Sequence, residues 1–310
     1  MSQPRNARQV GQHRLYEWRR PELPLDSEPE RFWSVTTILK GGLPSPALTA
    51  WGMKAVAEFA VANYRQLYAM VGTSYRFVRN DSGTITAVIE DADTVVSAID
   101  WLKGAPYRER DRKGDAGTAI HEQAEAYVLG RPMPPAAPSI ARQVESFRRF
   151  LEDFRPKYAK LPERDFWLAE ASVYNRAEAY AGTLDAIADI PGLGRVLIDY
   201  KSSKGIYAET ALQLAMYRFA EFVGLPDGTE WPMPEVDGCA VLHLPAEPAG
   251  WEATLEDPGY ALVPVIADSQ VFTAAKYVRE VFRWAEETSK GVIGQAISPP
   301  VRRARRKKAA

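Results

Sequence analysis

Three charged residues stand close together in Ala181-Gly182-Thr183-Leu184-Asp185 and Leu197-Ile198-Asp199-Tyr200-Lys201. The two segments read as strands joined by the tight turn Ile190-Pro191-Gly192-Leu193-Gly194, so Asp185, Asp199 and Lys201 meet on one hairpin. Asp199 and Lys201 are two positions apart, which puts them on one face of a strand, with Ile198 and Tyr200 on the other. Two carboxylates beside a lysine suit a hard divalent cation and a group that handles the proton of a water. That is the equipment for cutting a phosphodiester. Acids on adjacent strands repel each other unless a cation lies between them. The same spacing is met by two acids that face water, one of them paired with Lys201.

Other residues can join this group. His121 is expected in the first turn of a helix over 118–129, where it offers a neutral third ligand, with Glu125 one turn on. Glu170 lies in Trp167-Leu168-Ala169-Glu170-Ala171-Ser172-Val173, the strand expected beside Asp185, either as a further acid of the site or as an edge charge. Gln213 and Tyr217 are four apart on a helix expected over 208–223 and share a face. They suit phosphate oxygens or the orientation of Lys201, and they equally suit an ordinary polar helix face. Phe32, Trp33 and Trp51 fit base stacking or the core. Arg108, Arg110, Arg112 and Lys113 alternate with acids, so their joint field is weak.

These residues need elements to hold them. The chain has 310 residues, 46% of them hydrophobic, enough for a large core in one elaborated domain or two. Acids and bases number 40 and 39, so net charge is silent about nucleic acid. The bases gather at the ends instead: Arg302 to Lys308 holds six in seven positions, as a polyanion contact or a solubilising tail. Cys239 is the single cysteine, which excludes a disulfide framework and a thiolate-held cluster within the chain. No apolar run reaches the ~18 residues of a membrane helix, and the N-terminus lacks a signal-peptide core. A soluble protein of a reducing compartment is expected.

The pattern predicts a polar arm over 1–30, marked by Pro21, Pro24 and Pro29, and one domain over 31–298. Residues 31–115 read as mostly helical, with a helix over 46–71, a hairpin turning at 80–83 and a helix over 91–103. Residues 116–298 read as an α/β core. It has a helix over 139–154, strands near 166–174, 181–189, 195–201, 237–244 and 259–266, and a last helix over 269–288. A basic tail covers 299–310.

The order of the motifs is more specific than any one of them. Gly117-Thr118-Ala119-Ile120-His121, then Glu170, then Gly182-Thr183-Leu184-Asp185, Asp199-Tyr200-Lys201 and Gln213-Leu214-Ala215-Met216-Tyr217 resemble the PD-(D/E)XK nuclease superfamily. The nearest likeness is to its RecB-like branch of phage-type and mitochondrial genome maintenance exonucleases. Ser34-Val35-Thr36-Thr37-Ile38-Leu39 followed by Trp51 is similar to their N-terminal part. The likeness covers most of 30–225.

It implies a restriction-endonuclease-like core, a mixed central β-sheet flanked by helices. It implies a DNA exonuclease that uses Mg²⁺ or Mn²⁺ on single- or double-stranded ends, in recombination, repair or replication. His121, Asp185, Asp199 and the Tyr200 carbonyl would hold the cation, and Lys201 would position or deprotonate the attacking water. Glu170 would be the additional strand acid, and Gln213 and Tyr217 would support the site and the DNA. DNA is the implied partner, with recombination or replication proteins and no membrane, in the cytoplasm of a bacterial or phage-infected cell. Asp199 stands where many members have the longer Glu. The iron–sulfur cysteines of some relatives are absent, so no such cluster is expected. Two other classes meet the same residues: a DNA-binding recombination accessory with an inactive site, and a metal-free protein whose acids form surface salt bridges.

Overall fold

The computed structural model describes residues 6–297 except 12, 25, 73, 80, 162 and 248–258, with only the backbone at 47, 77 and 109–116. The basic tail over 299–310 lies outside the described residues. The chain opens with β1 (Ala7–Val10), β2 (His13–Trp18), β3 (Glu30–Ser34) and α1 (Val35–Gly42). Next come α2 (Pro46–Ala62), α3 (Tyr64–Val71), the hairpin β4 (Tyr75–Arg79) and β5 (Ile85–Ile89), α4 (Ala92–Lys103) and α5 (Ala105–Val128). The rest comprises α6 (Ala141–Phe154), the short β6 (Lys157–Tyr158), β7 (Lys160–Leu161) and β8 (Phe166–Trp167), and then β9 (Ala169–Asn175), β10 (Tyr180–Ile190) and β11 (Gly194–Lys201). After these come α7 (Glu209–Arg218), β12 (Phe222–Gly224), β13 (Glu230–Pro232), β14 (Gly238–His243), β15 (Ala261–Val265) and α8 (Ser269–Glu286).

Eleven strands form one mixed sheet. Its main path runs β1-β2-β3-β10-β11-β14-β15, with β6, β9, β12 and β13 attached beside it. β10 and β11 pair antiparallel, as the hairpin reading requires, while β3 joins β10 and β14 joins β11 in parallel. Strand alternation sends Ile187, Leu197 and Val241 to one face, where they pack with Ile38 of α1, Leu214 of α7 and Phe282 of α8. Ala186, Ile198 and Tyr200 face the other way, against Ile120 of α5 and Val144, Phe147 and Phe150 of α6. Helices thus cover both faces, the α/β architecture expected. Among the described residues, no helix is long and apolar enough to cross a membrane.

Four expected elements change. The arm over 1–30 is in part sheet: Tyr16 and Trp18 alternate inward on β2 and pack with Phe32, Tyr174 and Phe222. The prolines that suggested an arm fall after β2, in the connection to β3. The helix expected from Thr118 starts at Ala105 instead, so the division at 115/116 cuts through α5. Gly114 and Gly117 weaken a helix without ending it, and Pro106 sits in its first turn, where a proline is tolerated. The helix expected to reach 223 ends at Arg218, because Phe222 and Val223 pair with Tyr174 and Val173 of β9. The helix expected over 46–71 is broken at Asn63, whose side chain donates to the Phe59 carbonyl.

Candidate metal centre

β10 changes partners along one edge. It pairs with β3 at Tyr180 and Ala181 and with β11 from Ala186 to Ile190. Residues 182–185 lie at the fork between, where a ladder would otherwise leave polar groups open. The Asp185 side chain fills that gap: its Oδ2 accepts the Tyr200 N–H at 2.6 Å. A carboxylate is thereby fixed at the end of the hairpin, with 11% of its side chain exposed.

Two further elements reach the fork. His121, in the C-terminal half of α5, places Nδ1 3.1 Å from Glu170 Oε1 and 3.4 Å from Asp185 Oδ1. Its ring also packs edge-on to that of Tyr200, with centroids 5.8 Å apart. Glu170, at the start of β9, has a φ of +48°, a left-handed backbone that costs a non-glycine residue about 1–3 kcal/mol. That conformation accompanies the turn of its carboxylate towards His121. One ligand atom from each of His121, Glu170 and Asp185 lies within 4.8 Å of the others.

Asp199 forms a second layer. Its Oδ1 accepts from Lys201 Nζ at 3.0 Å and from Gln213 Nε2 at 3.0 Å. Gln213 Oε1 accepts from the same ammonium at 3.4 Å, and its Nε2 lies 3.4 Å from the Tyr217 hydroxyl. The other oxygen, Oδ2, is 2.9 Å from Lys201 Nζ, yet it is fully buried without an aligned hydrogen bond. Tyr217 stands over Gly182, where an added Cβ would overlap its ring; the glycine is what lets α7 seat against β10.

The charges are poorly balanced. Burial raises the pKa of Asp185, and Glu170 adds to this, while His121 and Lys201 oppose it. Burial, with repulsion from Asp185, raises Asp199 to about 6 despite Lys201. For His121, burial favours the neutral ring, but Asp185, Glu170 and Asp199 outweigh it and lift the pKa to about 9. The cluster therefore favours extra positive charge, which in the protein alone only protons supply.

The donor set fits a divalent cation. It offers one imidazole nitrogen and carboxylate oxygens, with a buried oxygen of Asp199 short of partners. No family model matches the chain, and no curated protein matches it. The case for the site therefore stands on the geometry.

His121, Glu170, Asp185, Asp199, Lys201, Gln213 and Tyr217, all expected from sequence, line one cleft of about 300 Å³. The tight trio is His121, Glu170 and Asp185, and Asp199 lines the same cleft held by Lys201 and Gln213. Tyr200 meets the site through its N–H and its ring. Phe32 is buried against Tyr174 at 5.4 Å and is not open to a base. Arg108 lies over Phe59 and donates to the Trp101 carbonyl, a helix brace.

Sequence reasoning missed Arg14, Tyr16, Thr36 and Thr183, which line the same cleft. The signal was present: Arg14, Tyr16 and Trp18 alternate with His13, Leu15 and Glu17 at the period of a strand.

Proposed function

We propose that the protein is a metal-dependent deoxyribonuclease with a PD-(D/E)XK-type core, acting on DNA ends with Mg²⁺ or Mn²⁺. One observation carries this reading. A helix, a strand and a hairpin bring His121, Glu170, Asp185 and Asp199 together where their charges are uncompensated, with one lysine on the innermost acid. The motif order and the mixed sheet with helices on both faces support it further.

His121, Glu170 and Asp185 would hold the cation, with Asp199 Oδ2 facing the same space. A cation there supplies positive charge that eases deprotonation of water and offsets the charge gathering on phosphoryl oxygens. Lys201, clamped by Asp199 and Gln213, presents Nζ to orient the attacking water. Gln213 fixes both partners of that clamp, and Tyr217 backs Gln213. Asp199 is buried, so the carboxylate that holds the ammonium is itself fixed.

The deciding experiment incubates end-labelled linear, circular and single-stranded DNA with the full chain and Mg²⁺ or Mn²⁺. Mononucleotide release from linear DNA that EDTA abolishes is the expected result, with circular DNA left intact. Absence of any metal-dependent cleavage would overturn the reading.

A further inference from the structure

The cleft has a second end. Arg14 and Tyr16 of β2 share a face of that strand, and both line the cleft together with Thr36 of α1 and Thr183 of β10. The Tyr16 hydroxyl and Thr183 Oγ1 are 2.9 Å apart. Thr183 is two residues before Asp185 on the same strand face, so this end begins about 6.7 Å from the metal centre. A single nucleotide can bridge that distance.

The cations of the cleft are not equivalent. Lys201 is engaged by Asp199, and His121 by Glu170 and Asp185. Arg14 is half-buried in the same acid-rich cleft, yet no carboxylate pairs with it among the described residues; its guanidinium faces the Tyr16 hydroxyl. That leaves Arg14 as the cation of the cleft placed to meet an incoming anion. The surroundings are rigid. The Arg14 N–H donates to Thr37 Oγ1 at 3.1 Å, and Tyr16 is buried among Trp18, Phe32 and Tyr174. Ser34, which caps α1 through the Thr37 N–H, ends β3 beside β10. Planar nitrogen donors with two hydroxyls beside them match the oxygens of a phosphate group.

We propose that Arg14, with the Tyr16 and Thr183 hydroxyls, forms a phosphate subsite next to the metal centre and fixes the strand whose neighbouring phosphodiester is cut. The proposal rests on the nuclease reading for the identity of its ligand. The phosphate belongs either to the strand end or to the backbone.

The test uses the full chain carrying Lys201→Ala, with Mn²⁺ present to compensate the acids while cleavage is blocked. Fluorescence anisotropy follows single-stranded oligodeoxynucleotides with a 5′-phosphate, a 3′-phosphate or no terminal phosphate. Adding Arg14→Gln should weaken binding roughly tenfold and lower the salt slope by about one. Arg14→Lys, which keeps the charge and most of the packing, should recover part of the affinity. A loss confined to one phosphorylated end assigns the subsite to a terminal phosphate, and a uniform loss assigns it to the backbone. If both Arg14 variants, folded by near-ultraviolet circular dichroism, bind every oligonucleotide as tightly as the parent and with the same salt slope, the subsite is wrong. Metal-dependent cleavage by the unaltered chain is scored separately. Its absence alongside an Arg14 effect removes the nuclease reading and leaves the phosphate site.

Discussion

Two clusters in this molecule each set carboxylates beside cationic side chains, and they behave in opposite ways. Around Arg176, the guanidinium donates to Glu30 at 2.8 Å and to Glu230, Arg20 donates to Glu30 at 2.7 Å, and Trp18 Nε1 donates to Glu230 at 2.8 Å. Burial disfavours the Glu30 carboxylate, but bonds from Arg20 and Arg176 outweigh it, so its pKa is lowered; for Glu230 the Arg176 bonds dominate. Beside His121, burial raises Asp185 and Asp199 instead. One cluster is satisfied by its own side chains. The other contains acids that its own lysine and histidine do not balance. The direction of the carboxylate shift therefore separates a structural ion network from a place that favours a foreign cation.

The largest expected effect breaks this symmetry outright. Lys201→Ala should lower Mn²⁺-dependent DNA hydrolysis by about 10³-fold, while Glu230→Gln should leave the rate within about twofold, both read as release of end label. Next comes metal-linked stability. Mn²⁺ at about 100 times its dissociation constant should stabilise the fold by roughly 2.7 kcal/mol. The accompanying rise in Tm should vanish in His121→Ala and persist in Arg176→Met, by thermal melts with and without EDTA.

A smaller effect runs the other way. Arg176→Met takes the guanidinium from Glu230 and leaves Glu30 with Arg20 alone, and should cost about 1–2 kcal/mol, since the groups are a quarter exposed. Cleavage rates at 25 °C should be unchanged; a larger loss of activity than of stability would erase the distinction drawn here. The smallest effect is in pH. His121 titrates higher in the fold, near 9, than its ordinary 6.5, so its contribution is full below about 6.5 and is lost as pH rises through 9. Chemical denaturation in EDTA should show stability falling by about 1 kcal/mol across that window, well under the roughly 3 kcal/mol of the full shift, because a third of the His121 side chain is open to screening solvent. Saturating Mn²⁺, which holds the ring neutral, should flatten it. Glu30 and Glu230 contribute the reverse: their share is present above about 4.5 and disappears as pH falls below it.

What could be read from sequence follows the range of the interactions. Asp199 with Lys201, and Gln213 with Tyr217, are set by strand and helix periods, so two and four residues suffice to place them. His121 and Glu170 were legible through the order of motifs, yet their 3.1 Å approach depends on a left-handed residue and a helix 49 positions away, and no local pattern states that. The parallel pairing of β3 with β10 joins residues some 147 positions apart, such as Trp33 with Tyr180, and it draws the first strands into the sheet. Prolines at 21, 24 and 29 hid this, although the alternation of Arg14, Tyr16 and Trp18 was intact. The early start of α5 was hidden for another reason. A run rich in charges and two glycines scores poorly for helix, and packing against α2 and the rest of the domain overrides it.

The fork at Asp185 has a practical corollary for anyone wanting an inert version of this protein. Its carboxylate oxygen closes a gap in the sheet as well as facing the cleft. Alanine would remove a ligand of the proposed metal centre and also strand a main-chain amide, so a dead protein and a loosened one would be confounded. Asparagine keeps an oxygen for the Tyr200 amide while discarding the charge. The cleaner control is thus the one that changes least in shape.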